Sequence, residues 1–255
     1  MVQRIKEYQF LFEELTKRDF RKKYKRTILG VFWSVLSPLL TLFVMKIIFS
    51  RFFGHDIPHY TTYLFAGNIV FSYFTEATNG GMAALVSNKD IFSKVNMPKY
   101  MFVLSTNVST LLNFALSLLV FFLFAAIDAV TFRCSFFLLL YPMLCLFVFN
   151  VGVSMLLSAF NLFFSDTSYL YRIFTMLLMY ASAIFYSVDS FPAQVQRVFL
   201  INPVYTYIKF FRIIVIDGGI PSLPYFLLCG FYAAAALVLG IAVYKRYNDR
   251  FMYYV

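Results

Sequence analysis

Charge is scarce in this chain. Only 13% of its 255 residues are Asp, Glu, Lys or Arg, whereas 61% are hydrophobic and mean hydropathy is +0.75. A soluble domain is about half apolar and a quarter charged, so this composition excludes one and indicates a polytopic membrane protein. Cysteine is nearly as sparse. Cys134, Cys145 and Cys229 lie in or beside apolar runs without C-x-x-C spacing, so no disulfide framework is expected. The 2 histidines, His55 and His59, share one small loop with Asp56. Pro58 interrupts any helix there, and two histidines with one carboxylate are a poor metal site. No G-x-x-x-x-G-K-[ST] occurs, so the chain has no P-loop with which to cradle ATP phosphates. The absence of G-x-S-x-G, of H-E-x-x-H and of any Ser-His-Asp set leaves no hydrolase chemistry to build on. No cleavable signal peptide is expected either, because charged residues open the chain well before its first apolar run.

What is present is organised around Asp19–Pro38. A dense cationic run ends at Arg26, and from Ile28 to Phe49 the sequence is apolar except for Lys46. Lys and Arg are costly at mid-membrane but favoured beside anionic headgroups on the cytoplasmic side, so the switch predicts an inside N-terminus and a first crossing. Net charge is +10. The basic residues sit at membrane entry points and not along an aromatic-interleaved groove, so no nucleic-acid partner is expected.

The fold expected is an all-α membrane protein with two regions. Residues 1–29 read as an amphipathic cytoplasmic interface helix, with Ile5, Tyr8, Phe12 and Leu15 on one stripe and Glu13–Lys17 and Glu14–Arg18 as i,i+4 pairs. Residues 30–255 read as a six-span transmembrane domain. The spans run at about residues 30–52 (kinked at Pro38), 60–85, 100–127, 134–164 (tilted or interrupted at Pro142), 171–188 and 223–244. Between the last two, the apolar stretch 198–216 contains Asn202-Pro203, Lys209 and Arg212. Two cations there oppose a simple crossing, and the expectation is a re-entrant pair of half-helices on the outer side. Cations then distribute correctly for both termini inside: nine in residues 1–26, Lys89, Lys94 and Lys99 in the first inner loop, Arg172 in the second, and Lys245, Arg246 and Arg250 in the tail.

Three sets of residues are functional candidates. Glu76, a carboxylate inside a span, is one by default, the competing role being a hydrogen-bonded structural residue. The inner loop Ser87–Lys99 places Ile91, Phe92 and Val95 on one helical face, suited to a soluble partner. The cluster from Lys17 to Arg26 could hold a phosphorylated lipid headgroup. Aromatics are abundant, with Phe 34 and Tyr 19, but most are expected to face lipid.

Arg18-Asp19, Tyr24, Leu29-Gly30, Trp33 and Pro38 form R-D-x-x-x-x-Y-x-x-x-x-L-G-x-x-W-x-x-x-x-P. With Gly67 in L-F-A-G-N, Asn88, Lys94-Val95-Asn96-Met97-Pro98, Asp166 and Asn202-Pro203 before Arg212, this chain resembles the ABC-2 type permeases that export O-antigen, teichoic acid and capsular polysaccharide. It departs at Arg26-Thr27, where many relatives carry Gly-Ser, and at Ser165, where they carry Arg before Asp166. The resemblance implies a homodimer in the bacterial cytoplasmic (inner) membrane, docked to two copies of a separate ATP-binding cassette subunit. That partner would bind Mg-ATP and hydrolyse it, so this chain would need no cofactor of its own and is not an enzyme. Asn88, Lys89, Asp90, Ile91, Phe92, Lys94, Val95 and Pro98 would form the coupling helix, with Asp166 contributing from the second inner loop. Arg18, Arg21, Lys22, Lys23, Lys25, Arg26 and Trp33 would meet the lipid diphosphate, and Asn202, Pro203 and Arg212 would belong to an outer gate. The cargo implied is a polyprenyl-diphosphate-linked glycan. Two other readings stand beside this one: an ABC-2 permease for a small hydrophobic drug or lipid, and a channel or membrane enzyme acting alone.

Overall fold

Inside hydrocarbon a backbone amide finds no water, so a crossing chain must satisfy its polar groups along its own helix. The computed structural model describes residues 2–25, 27–53, 57–92, 97–247 and 250–251, and the regular elements among them are all helical. They are α1 (Val2–Tyr24), α2 (Trp33–Phe53), α3 (Tyr60–Ser87), α4 (Lys89–Phe92), α5 (Tyr100–Ile127), α6 (Leu140–Phe163), α7 (Thr167–Ala181), α8 (Ala193–Phe199), α9 (Pro203–Val215) and α10 (Leu223–Tyr247), with short 3₁₀ turns ahead of α2 and α6. Among the described residues, four segments are long and apolar enough to cross a membrane: Trp33–Ser50, Tyr100–Ile127, Cys134–Phe163 and Leu223–Tyr247. A fifth candidate, α8 with α9, is bent by 111°.

The helices alternate in direction between two ends of the molecule. At one end, α1 meets the close of α3 and the start of α5, and Asn161 near the close of α6 donates to the Met82 carbonyl of α3. Phe251, just beyond α10, packs on Tyr244 and Phe163 at the same end. At the other end, Tyr60 and Tyr63 at the start of α3 donate to the Phe185 and Tyr186 carbonyls beyond α7. Phe49 near the close of α2 stacks on Phe185 at 4.3 Å, and Tyr141 of α6 donates to Phe226 of α10. The segment 182–222, holding α8 and α9, therefore leaves from and returns to that second end.

α3 is the central helix, buried along most of its length against α5, α6, α2, α9 and α7. This placement explains its modest hydropathy. A helix that faces protein on most sides can carry Asn68, Thr78 and Asn107-facing glycine where a lipid-facing helix carries Leu. The core is dominated by aromatics: Phe65, Phe121 and Phe211 are fully buried and meet edge-on at 5.3 to 5.4 Å between centroids.

Both prolines expected to perturb spans are accommodated. Pro142 lies in the first turn of α6, where no intrahelical donor is required. Pro38 lies inside α2 and deprives the Ser34 carbonyl of its normal partner. The Ser117 hydroxyl of α5 donates to that carbonyl at 3.4 Å. α7 ends at Ala181, earlier than the expected span of 171–188, and at about 22 Å for 15 residues it is shorter than a hydrocarbon core of about 30 Å. α2 and α7 expose large apolar side chains, among them Phe43, Ile47, Ile173 and Leu177. Lys46 is exposed on the same face of α2.

Candidate functional site: a basic groove and a polar cavity

Helix α1 is fastened to the body by its Arg-Asp pair. Arg18 binds Asp19 at 2.7 Å and donates to Asn88 Oδ1 at 2.7 Å. Asp19 in turn accepts from the hydroxyls of Ser105 and Thr106, and the Asn88 amide donates to the Ala84 carbonyl. One charged pair thereby joins three helices, α1, α3 and α5. Leu15 is buried in the core that α3, α5, α6 and α10 share, so α1 is a packed element of the body.

Beside this clamp lies an open groove of about 1160 Å³ between α1 and the end of α3. Arg18, Arg21, Lys23 and Lys25 line it, facing Ala83, Ala84 and Ser87. Cations gathered in one groove suit a phosphate group, which each can approach with a charge-assisted hydrogen bond. Lys22 lies in the same helix but its side chain is outside the described residues, as is all of Arg26.

A second cavity of about 450 Å³ opens above the groove among α2, α3 and α5. Lys23 lines both spaces and separates them: its ammonium pairs with Glu76 at 2.7 Å, and Asn113 donates to the same carboxylate oxygen at 3.2 Å. Glu76 is thus neither free nor alone. Trp33, at the start of α2, lines this upper cavity and not the groove. Its walls hold a pattern that reading Glu76 in isolation missed. Asn68, Ser72 and Glu76 recur every four residues on α3, Thr110, Asn113 and Ser117 share one face of α5, and Ser34, Ser37 and Thr41 share one face of α2. The periodicity of polar residues within apolar helices was the available signal.

The inner loop is partly defined. Lys89 and Asp90 are exposed on the single turn α4, while Ile91 packs against the inner core. Pro98 is half-buried beside Met97. Lys94 and Val95, with the side chain of Phe92, lie outside the described residues. Asp166 is exposed at the start of α7, its carboxylate making no capping bond. Ser154, near the middle of α6, donates to the Ala77 carbonyl. His55 and Asp56 also fall outside the described residues, and among those described no cluster of three metal-ligating groups occurs.

At the far end, Asn202, Pro203 and Arg212 form a fixed structure. Asn202 caps α9 by accepting from the amides of Val204 and Tyr205, and its own amide donates to the Ala181 carbonyl and the Ser182 hydroxyl. Pro203 fills the first helical position, where its missing N–H is harmless. Arg212, only 3% exposed, donates to the carbonyls of Tyr63, Ala183 and Ile184, and its guanidinium lies 3.4 Å from the Tyr63 ring centroid. It supplies donors to carbonyls left over where α7 stops. Lys209 is paired too, with Asp189 at 2.6 Å. Burial opposes ionisation of Asp189, but the Lys209 ammonium and the Ser187 hydroxyl outweigh it and hold the carboxyl below its usual range.

The sequence pattern of the ABC-2 type transporter matches residues 11–216. The chain belongs to that family. Among ABC-2 and related permeases it is 26% identical, over 95% of both chains, to an O-antigen export system permease protein RfbA of Klebsiella pneumoniae. A protein of the same name from Myxococcus xanthus is 24% identical over 87% of this chain and 86% of its own. The polysialic acid transport protein KpsM of Escherichia coli is 22% identical over 93% of both. The ABC-2 match begins within α1 and ends just beyond α9, so it takes in the groove, the cavity and the Arg212 assembly.

Proposed function

We propose that this chain is the membrane-spanning permease of an ATP-driven exporter of lipid-linked polysaccharide. The observation that carries the reading is near end-to-end similarity to permeases named for O-antigen and polysialic acid export, in a chain whose interface helix forms a basic groove. The groove gathers cations for the phosphates of a polyprenyl diphosphate. A small hydrophobic drug or lipid would need no such cluster.

Six crossings with both termini cytoplasmic fit the alternating helix directions, with α2, α3, α5, α6, α7 and α10 as the spans. α3 crosses despite its polar residues because protein surrounds it, and the residues after α7 complete the fifth passage. α8 and α9 form the re-entrant pair on the outer side, with Arg212 and Lys209 satisfied by protein groups. The exposed apolar faces of α2 and α7 meet a second copy or lipid. ATP and Mg belong to a separate subunit seated against α4 and the loop beyond it, with Asp166 at the margin of the same surface.

Co-purification with the ATP-binding cassette subunit, followed by ATP hydrolysis with and without lipid-linked glycan, tests the reading. A stable complex whose hydrolysis responds to glycan supports it. A complex that ignores glycan but responds to small amphiphiles favours drug or lipid export, and failure to form any complex overturns both.

A further inference from the structure

The three polar stripes have a joint consequence. Asn68, Ser72 and Glu76 of α3, Thr110, Asn113 and Ser117 of α5, and Ser34, Ser37 and Thr41 of α2 each follow helical spacing and converge on one cavity. Polar groups within membrane helices are costly unless something meets them. Thr41, Thr110 and Ser117 return bonds to backbone carbonyls and Asn113 to Glu76, which lets these helices carry them, and the convergence of all three stripes on one space gives that space a polar lining. The cavity holds about 450 Å³, within the roughly 300–1,000 Å³ usual for small-molecule sites.

The lining restricts the chemistry of any occupant. Its one cation, Lys23, is matched by its one carboxylate, Glu76, so the wall has little net charge for a phosphate or a metal ion. What remains is a set of hydroxyls and amides flanked by three aromatic rings, Trp33, Tyr73 and Phe114. Tyr73 and Phe114 stack on each other at 4.2 Å and are buried, so the ring with a face open to the cavity is that of Trp33, 40% exposed. Neutral donors and acceptors beside a ring face match a pyranose, whose hydroxyls hydrogen-bond at its rim and whose C–H bonds carry the positive edge that a ring face attracts.

We infer that this cavity is a subsite for the sugar unit next to the lipid phosphate, and that the Lys23–Glu76 pair closes it from the groove. The inference rests on the export reading above. A diphosphate in the groove competes with Glu76 for Lys23, which lines both spaces. Once Lys23 turns to phosphate, Glu76 is free to accept from sugar hydroxyls alongside Asn113. Phosphate and sugar are then recognised together, each promoting the other's contacts, and α1 is the element that links them.

Trp33 makes this testable, because it is the chain's 1 tryptophan and lines the cavity. Its fluorescence in the full chain, reconstituted in nanodiscs, is titrated with three lipids: polyprenyl diphosphate, and the same lipid carrying one hexose or one N-acetylhexosamine. A sugar-bearing lipid is expected to bind more tightly than the bare one and to shift Trp33 emission further. Ser72→Ala and Ser37→Ala, which leave Lys23, Glu76 and Asn113 in place, are expected to reduce that preference, together by about tenfold, with affinity for the bare lipid unchanged. The unchanged bare-lipid affinity also reports that the variants fold. Equal affinity for all three lipids, or equal losses for all three in the variants, overturns the sugar subsite and leaves the export reading intact. Binding of none of them by the wild-type chain overturns both.

Discussion

Gly67 and Arg212 are 145 positions apart yet share one site. A Cβ on Gly67 would lie 2.5 Å from Arg212 Nη2 and 3.3 Å from Ile184 Cγ2. Arg212 cannot yield without abandoning carbonyls that no water replaces. In an open helix Gly→Ala stabilises by about 1 kcal/mol, but here overpacking of about 1–3 kcal/mol should dominate. Gly67→Ala is therefore expected to lower the melting temperature of the purified protein, and a rise would show that Arg212 has room to move. The Asp189–Lys209 pair gives a pH-dependent counterpart. The native carboxyl titrates below the ordinary 3.8, so its stabilisation is present above that value and disappears as pH falls through the native one. Wild type should melt above Asp189→Asn at neutral pH, and the two should converge at strongly acid pH. A gap that persists at low pH would assign the effect to packing and not to charge.

Among the elements, α6 and α10 approach most closely through small residues. A Cβ on Gly152 would fall 2.3 Å from the Ala236 carbonyl carbon, and one on Gly240 would fall 2.8 Å from the Gly152 carbonyl oxygen. Such contacts let backbones pack where no hydrophobic effect drives helices together in lipid. Because the obstructing atoms are backbone, the helices must separate along their length if Gly152 gains a methyl. Gly152→Ala should reduce the monodisperse fraction in size-exclusion chromatography. A profile matching wild type would mean that α10 can slide away without loss. The α1 clamp works differently, by charge-assisted bonds at an exposed boundary, and Arg18 and Asn88 act there as partners of each other.

For the whole molecule, the proposed function has two partners meet one end. If the groove on α1 binds phosphate, neutralising Arg21 and Lys25 should weaken binding of polyprenyl diphosphate. The loss should be larger at low salt, since a Debye length of about 10 Å at 0.1 M already screens exposed cations. A loss independent of salt would point to packing of α1 instead. Charging the inner loop with Phe92→Asp and Val95→Asp should release the ATP-binding subunit while leaving the chain monodisperse, because only a docking face is altered. Retained complex and transport would remove that loop from coupling.

Membrane residence, all-helical structure and the basic entry helix were legible in the sequence because each depends on composition or local periodicity. Hydropathy and helical spacing act residue by residue and need no tertiary contact to be seen. The quoted family residues were legible only as a list. The tertiary structure paired Arg18-Asp19 with Asn88 and Gly67 with Arg212, because such bonds join segments tens to more than a hundred positions apart. It also placed polar α3 at the centre, where protein contacts offset what lipid would penalise, and turned three unremarked polar stripes into one cavity. Each stripe was present in its own helix, but their convergence was set by how α2, α3 and α5 pack.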